Sequence, residues 1–275
     1  MKSIMLLRMQ YGDMTKSLGQ QLLLAVGITG GATMACALWL DGAVFQWFST
    51  HSPPFWQGTR WILGFQQLGK VWAPVWLLCL WFWVTRRSRP VLAASLALVL
   101  TLFLVVPLKA LIGRPRPNEI LAAQVDGRAD RPLRGHSFPS GDTATIFAIT
   151  TALVGAVRRP WAVLLWATAL AVGIFRVKVR VHYPSDVCAG AAIGLTCGLI
   201  SLWVDGRTGP TIPDWMDRHP ALGAALLVLV PMVGVSIEGP LRVIMFFLTI
   251  GLPATILSVI LLHIRVRHQT RERSQ

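Results

Sequence analysis

The chain has 275 residues, of which 54% are hydrophobic and only 14% charged, and its mean hydropathy of +0.57 excludes an ordinary soluble domain of this size. Its formal charge is +14 and its pI about 11.1, but the basic residues crowd short segments beside apolar runs: Arg86, Arg87 and Arg89; Arg158 and Arg159; Arg265, Arg267, Arg271 and Arg273. That is the pattern of cytoplasmic loops under the positive-inside rule, and with no basic face interleaved with exposed aromatics it argues against a nucleic-acid partner.

The N-terminal segment has too short an apolar core and no small-residue cleavage site, so the first long helix is expected to act as an uncleaved anchor. Apolar runs punctuated by Gly, Pro and charge predict eight helices, over 17–40, 71–85, 90–112, 140–157, 161–175, 185–204, 221–237 and 241–264. A bilayer-crossing helix needs roughly 20 apolar residues. The second, at about 15 residues, is therefore expected to start earlier, to tilt or to lie partly buried. The fold class is all-α, a polytopic transmembrane helical bundle. With Lys2, Arg8 and Lys16 in the cytoplasm, eight crossings return the C-terminus to that side and place 41–70, 113–139 and 176–184 on the outer face. Residues 45–65 carry Trp47, Trp56 and Trp61 around Pro53-Pro54, which suits either an interfacial element or a tryptophan belt against the bundle. Cys36, Cys79, Cys188 and Cys197 lie in apolar stretches without metal or redox spacing and read as small buried hydrophobes.

Three polar clusters fall at helix ends on the same expected face. In the first, Lys109 lies about two turns inside a helix end and needs a partner, a polar cavity or a snorkelling path. Arg116, held between Pro115 and Pro117, offers a planar fork from a stiff backbone, a shape that suits phosphate oxygens. In the second, Pro139 precedes Ser140 and Gly141, which open a helix whose free amides form an anion site; the plainer reading of Ser140 is a helix cap. In the third, Pro184 marks a first helical turn, with His182 before it and Asp186 after it. The carboxylate can fix the tautomer of the imidazole and leave its other nitrogen free to attack phosphorus. A histidine in that place is ordinarily a cap or interfacial residue; the company of the other clusters makes it a candidate nucleophile. A nucleophile, an orienting acid, three cations (Lys109, Arg116 and, at the head of the third cluster, Arg176) and a nest of amides suit phosphoryl transfer. With no carboxylate or histidine cluster at metal spacing in the sequence, a metal-independent, cofactor-free reaction is expected.

The order Lys109-x6-Arg116-Pro117, then Pro139-Ser140-Gly141, then Arg176-x5-His182-x3-Asp186 resembles the type 2 phosphatidic acid phosphatase (PAP2) superfamily. The resemblance implies one membrane domain over 1–275, a six-helix bundle with two further C-terminal helices, in which the catalytic core covers about 68–204 and the two-helix extension about 219–264. It also implies that Lys109, Arg116 and Arg176 bind phosphate, that Ser140 and the Gly141 amide cradle it, that His182 forms a phosphohistidine and that Asp186 activates it. Two positions depart from the family pattern. Phe175 stands where a serine is usual, and Asp142 where a histidine usually protonates the leaving group. Asp142 is the candidate replacement acid if its pKa is raised, or merely complements a helix N-terminus; His136 is the other candidate acid.

The expectation is thus a lipid phosphate or pyrophosphate phosphatase with its site at the extracytoplasmic face of a bacterial inner membrane and both termini cytoplasmic. Its partners would be the bilayer and a phosphorylated lipid: polyprenyl diphosphate, phosphatidylglycerol phosphate, phosphatidate or lipid A. The alternatives are a phosphotransferase from polyprenyl diphosphate to a glycolipid and a non-catalytic lipid-binding or transport protein.

Overall fold

The computed structural model describes residues 27–51, 66–85, 87–120, 135–208, 220–256 and 258–259, with residues 20, 24 and 64 besides. The basic N-terminus, Arg86, the Pro53-Pro54 break with Trp56 and Trp61, and the arginine-rich tail lie outside the described residues. Within them the fold is all-α; the only β pairing is an isolated bridge between Pro115 and His136.

Helix α1 covers 27–51 and includes a π turn at Cys36–Leu40. α2 is Trp72–Thr85, α3 Ser88–Ile112, α4 Gly141–Leu153, α5 Arg159–Lys178, α6 Pro184–Thr208 and α7 Pro220–Glu238. α8 starts as Pro240–Phe246 and passes through a π turn at Phe247–Gly251. Among the described residues, Gly27–Trp47, α3, α5 and Pro184–Gly206 are long and apolar enough to cross a bilayer. Leu111 (81% exposed) and Phe103 (76%) on α3 point outward, as lipid-facing residues do and core residues do not. The protein is membrane-embedded.

The first helix corrects the reading of the sequence. It does not stop at Leu40; it runs on to His51, so Asp41 is helical and buried rather than the start of an outer loop. A charged residue read as punctuation is tolerated inside a helix when its carboxylate finds partners. α5 likewise extends past Phe175 and carries Arg176 in its last turn.

Contacts divide the chain into two units, residues 1–57 with 92–211 and residues 58–91 with 212–275. In the first, α4 is buried from Thr143 to Leu153 and packs chiefly on α6 and then α5. The contact is a stripe of small residues. Gly190, Gly194 and Gly198 recur every fourth position on α6, and a Cβ on any of them would run into backbone or side-chain atoms of α4 between Ser140 and Thr151. Without water to drive association, close backbone approach of this kind holds membrane helices together. Thr151 and Thr101 satisfy their hydroxyls locally, on Phe147 O and Ala97 O, whereas the buried Thr150 hydroxyl on α4 has no partner. In the second unit α2 packs on α7, with Gly234 against the ring of Trp72. Edge-to-face contacts join Trp72 to Phe246 at 4.8 Å and Trp76 to Phe247 at 5.0 Å.

Candidate active site

The three polar clusters come together at one end of the first unit. Lys109 lies in the last turn of α3 rather than two turns inside its end, and its ammonium donates to the carbonyl oxygens of His136 (2.9 Å) and Ser137 (3.4 Å). The backbone leading into the second cluster is thus a partner for the Lys109 ammonium. Its Cε also lies near the place where a Cβ on Gly141 would stand, at 3.8 Å. The Arg116 guanidinium lies flat against Gly135, with Nε 3.0 Å from that residue's would-be Cβ, and this Nε has no hydrogen-bond partner.

Ser140 is the N-cap of α4. Its hydroxyl is fully buried and engages Thr143, 2.9 Å to Oγ1 and 3.4 Å from the amide. Its amide donates to the carbonyl of Asp186 at 2.9 Å, tying the second cluster to the third. What this turn offers an anion is therefore its outward amides more than the serine hydroxyl. Asp142, in the same turn, pairs with Arg176 at 2.7 Å.

α5 ends in a Schellman motif. The amide of Arg180 donates to Val177 O and that of Val181 to Arg176 O, and Arg180 takes the left-handed conformation, φ 60°, where glycine is usual. Its carbonyl accepts from Asn118 N at 2.8 Å, so this turn is pinned from a second segment. His182 follows, 4% exposed, with Nδ1 3.6 Å from Asp186 Oδ2. That is ion-pair range and too long for a hydrogen bond; Nδ1 has no other acceptor. The sequence reading expected a hydrogen bond here, and the helical turn brings the groups only to the threshold of one, a spacing that substrate binding commonly closes. Burial pushes the imidazole below its ordinary value of 6.5; Asp186 and Asp142 oppose the shift, and Lys109 adds to it. His182 is thus neutral at pH 7 and able to act as a nucleophile.

The His136 ring is exposed and lies near Gly113; its carbonyl, rather than its imidazole, serves the cluster. Two residues without an assigned role in the sequence reading complete the site. Arg114 bonds Asp186 Oδ1 at 2.9 Å and Asp41 Oδ2 at 2.8 Å, and stacks 3.8 Å over the Tyr183 ring. Asp41 had a signal of its own in the sequence. It is the only acidic residue between Asp13 and Glu119, in an apolar stretch where a carboxylate needs a reason to stand.

A model of the PAP2 superfamily matches residues 90–209. The crystal structure of Aquifex aeolicus LpxE is 32% identical, covering 59% of this chain and 94% of that one, with a TM-score of 0.50. The chain belongs to the PAP2 superfamily. Lys109, Arg116, Ser140, Gly141, Asp142, Arg176, His182 and Asp186 all fall inside the matched region. Asp41 falls outside it. Among curated PAP2 relatives, Lipid A 1-phosphatase of Rhizobium johnstonii is 39% identical over 106 residues, 37% of this chain and 42% of that protein. Decaprenylphosphoryl-5-phosphoribose phosphatase of Mycobacterium tuberculosis is 32% identical over 116 residues, 42% of this chain and 61% of that protein. The matched stretch spans less than two thirds of the length of either.

Proposed function

We propose that the protein is a membrane lipid phosphatase that passes a phosphoryl group from a lipid first to His182 and then to water. One observation carries the reading: a buried imidazole stands beside a buried carboxylate and within electrostatic reach of Lys109 and Asp142, in the residue order of the PAP2 superfamily. With Nδ1 turned to Asp186, Nε2 attacks phosphorus as the bond from phosphorus to the lipid oxygen breaks. The leaving oxygen takes a proton from a water molecule, and a second water then cleaves the N–P bond to give inorganic phosphate and free imidazole. Lys109, Arg116, Arg176 and the amides of the Gly141 turn neutralise the equatorial oxygens. These cations take the charge-neutralising role directly, so turnover persists in EDTA.

Asp142 holds the place from which the leaving group is protonated, and its bond to Arg176 gives it a second task, aiming that guanidinium. Histidine in its place supplies an acid but no anchor. Asp142→His is therefore expected to lower hydrolysis by at least about tenfold; a rise in hydrolysis would instead favour the reading in which the native chain passes phosphate to a second lipid.

The substrate is an amphiphile. A small cleft at His182 is lined by Val44, Phe45, Pro117, Val177, Arg180 and Tyr183, a mostly apolar wall for the first carbons of a lipid next to its phosphate. Similarity to lipid A 1-phosphatases makes a phosphorylated glycolipid of the lipid A type the first choice, with polyprenyl phosphates second. The site faces the extracytoplasmic side of a bacterial inner membrane. The test is phosphate release in detergent from lipid A, a polyprenyl diphosphate, phosphatidylglycerol phosphate and phosphatidate, with EDTA, by wild type and His182→Ala. Release from lipid A that vanishes in the variant is expected; activity that survives His182→Ala or strictly needs a divalent metal contradicts the proposal. A phosphorylated acceptor lipid growing at the expense of inorganic phosphate identifies transfer instead.

A further inference from the structure

We propose that Asp41, on the N-terminal helix, is a positioning residue for the His182–Asp186 pair and acts through Arg114; the inference rests on the catalytic reading of that pair.

Asp41 is 5% exposed on a helix whose Gly27–Trp47 stretch is only 6% buried. The helix thus turns mostly apolar surface outward and directs its carboxylate inward. Both oxygens are used. Oδ2 accepts from Arg114 Nη2 at 2.8 Å and from the Ser185 hydroxyl in a short contact, and Oδ1 accepts from the Ser185 amide at 2.9 Å. Ser185 is the residue before Asp186, so Asp41 grips the backbone of the first turn of α6 as well as the guanidinium.

The guanidinium is shared. Its Nη1 donates to Asp186 Oδ1 at 2.9 Å and to Ser185 Oγ at 2.8 Å, while its face rests on Tyr183. Asp186, with no exposed surface, therefore has one oxygen held by Arg114. The other accepts from the Tyr183 amide at 2.8 Å and is the atom facing His182 Nδ1. Asp41, Arg114 and Asp186 are joined by hydrogen bonds that are mutually dependent, and the far oxygen of Asp186 stands 3.6 Å from His182 Nδ1. Asp41 shares the pull of Arg114. Without it, a single guanidinium faces a single carboxylate and can take both oxygens in the two-pronged geometry such pairs favour, drawing Oδ2 off the imidazole.

Asp41 contacts none of the groups assigned to phosphate, so its loss should strike the chemical step and spare binding. It also lies outside the region that matches the superfamily model.

The test is a double-mutant cycle on the full-length protein in detergent, with whichever lipid of the panel wild type hydrolyses best. Asp41→Asn should lower kcat about tenfold or more with KM within about twofold. Combined with Asp186→Asn, it should lower kcat no further than Asp186→Asn alone, since a residue acting through Asp186 has nothing left to position. Asp41→Glu, which keeps the charge, should retain more activity than Asp41→Asn, and takes its place in the cycle if the asparagine variant is not recovered as a monodisperse folded protein. Unchanged kcat, a loss mainly in KM, or losses that multiply in the double variant would overturn the proposal. His182→Ala, run alongside, separates the two claims, because activity surviving there removes the catalytic reading whatever Asp41 does.

Discussion

At the scale of single residues, burial and the neighbouring carboxylates act on His182 in opposite directions, and burial prevails. The folded pKa is depressed, so the neutral nucleophile is populated at and below neutral pH and is lost only as pH falls through that lowered value. The acid limb of kcat/KM, after correction for ionisation of the lipid phosphate itself, should lie below about 6.5. A limb above that value would mean that the carboxylates dominate the imidazole. Asp142→Asn removes one of those carboxylates and should move the limb further down. The catalytic candidates were legible in the sequence because short-range spacing fixes them: a proline at the first helical turn sets His182 and Asp186 on neighbouring turns whatever the tertiary fold. Asp41 was not legible in its role, since its partners Arg114 and Ser185 lie 73 and 144 positions away and only packing brings them together.

At the scale of helices, the glycine stripe on α6 sets how closely the second and third clusters approach. Ser140 can donate its amide to Asp186 O because nothing larger than hydrogen stands at Gly190. Farther along the same face, a Cβ on Gly194 would lie 2.7 Å from Phe147 Cβ and 2.9 Å from the Ala148 amide. Gly194→Ala should therefore destabilise by about 1–3 kcal/mol, seen as a lower midpoint for thermal inactivation in detergent. Gly30→Ala on α1, where a Cβ meets nothing within 4 Å, is the control and should leave the midpoint in place or raise it slightly. Helix existence was readable from hydropathy, and most boundaries fell within a few residues. The exception was the end of α1, because aspartate looks like a stop signal. A carboxylate at the centre of a spanning helix costs roughly 2.5–3.5 kcal/mol on the insertion scale, but Asp41 meets a guanidinium and two donors of Ser185 that offset the cost.

At the scale of the molecule, every residue placed in the site belongs to the unit of residues 1–57 and 92–211. Residues 58–91 and 212–275 form a unit with its own aromatic core of Trp72, Trp76, Phe246 and Phe247. Composition alone predicted a membrane bundle, whereas this division follows long-range contacts that hydropathy does not encode: α2 groups with the C-terminal helices although it lies far from them in sequence. The account as a whole turns on a covalent phosphoenzyme at His182. It is tested most directly by brief exposure to a lipid carrying radiolabelled phosphate, followed by denaturation and peptide mapping. An acid-labile, alkali-stable label on the peptide containing His182, absent from His182→Ala, is the predicted result; full hydrolytic turnover with no label trapped on that peptide, or a label that persists in the variant, would contradict it.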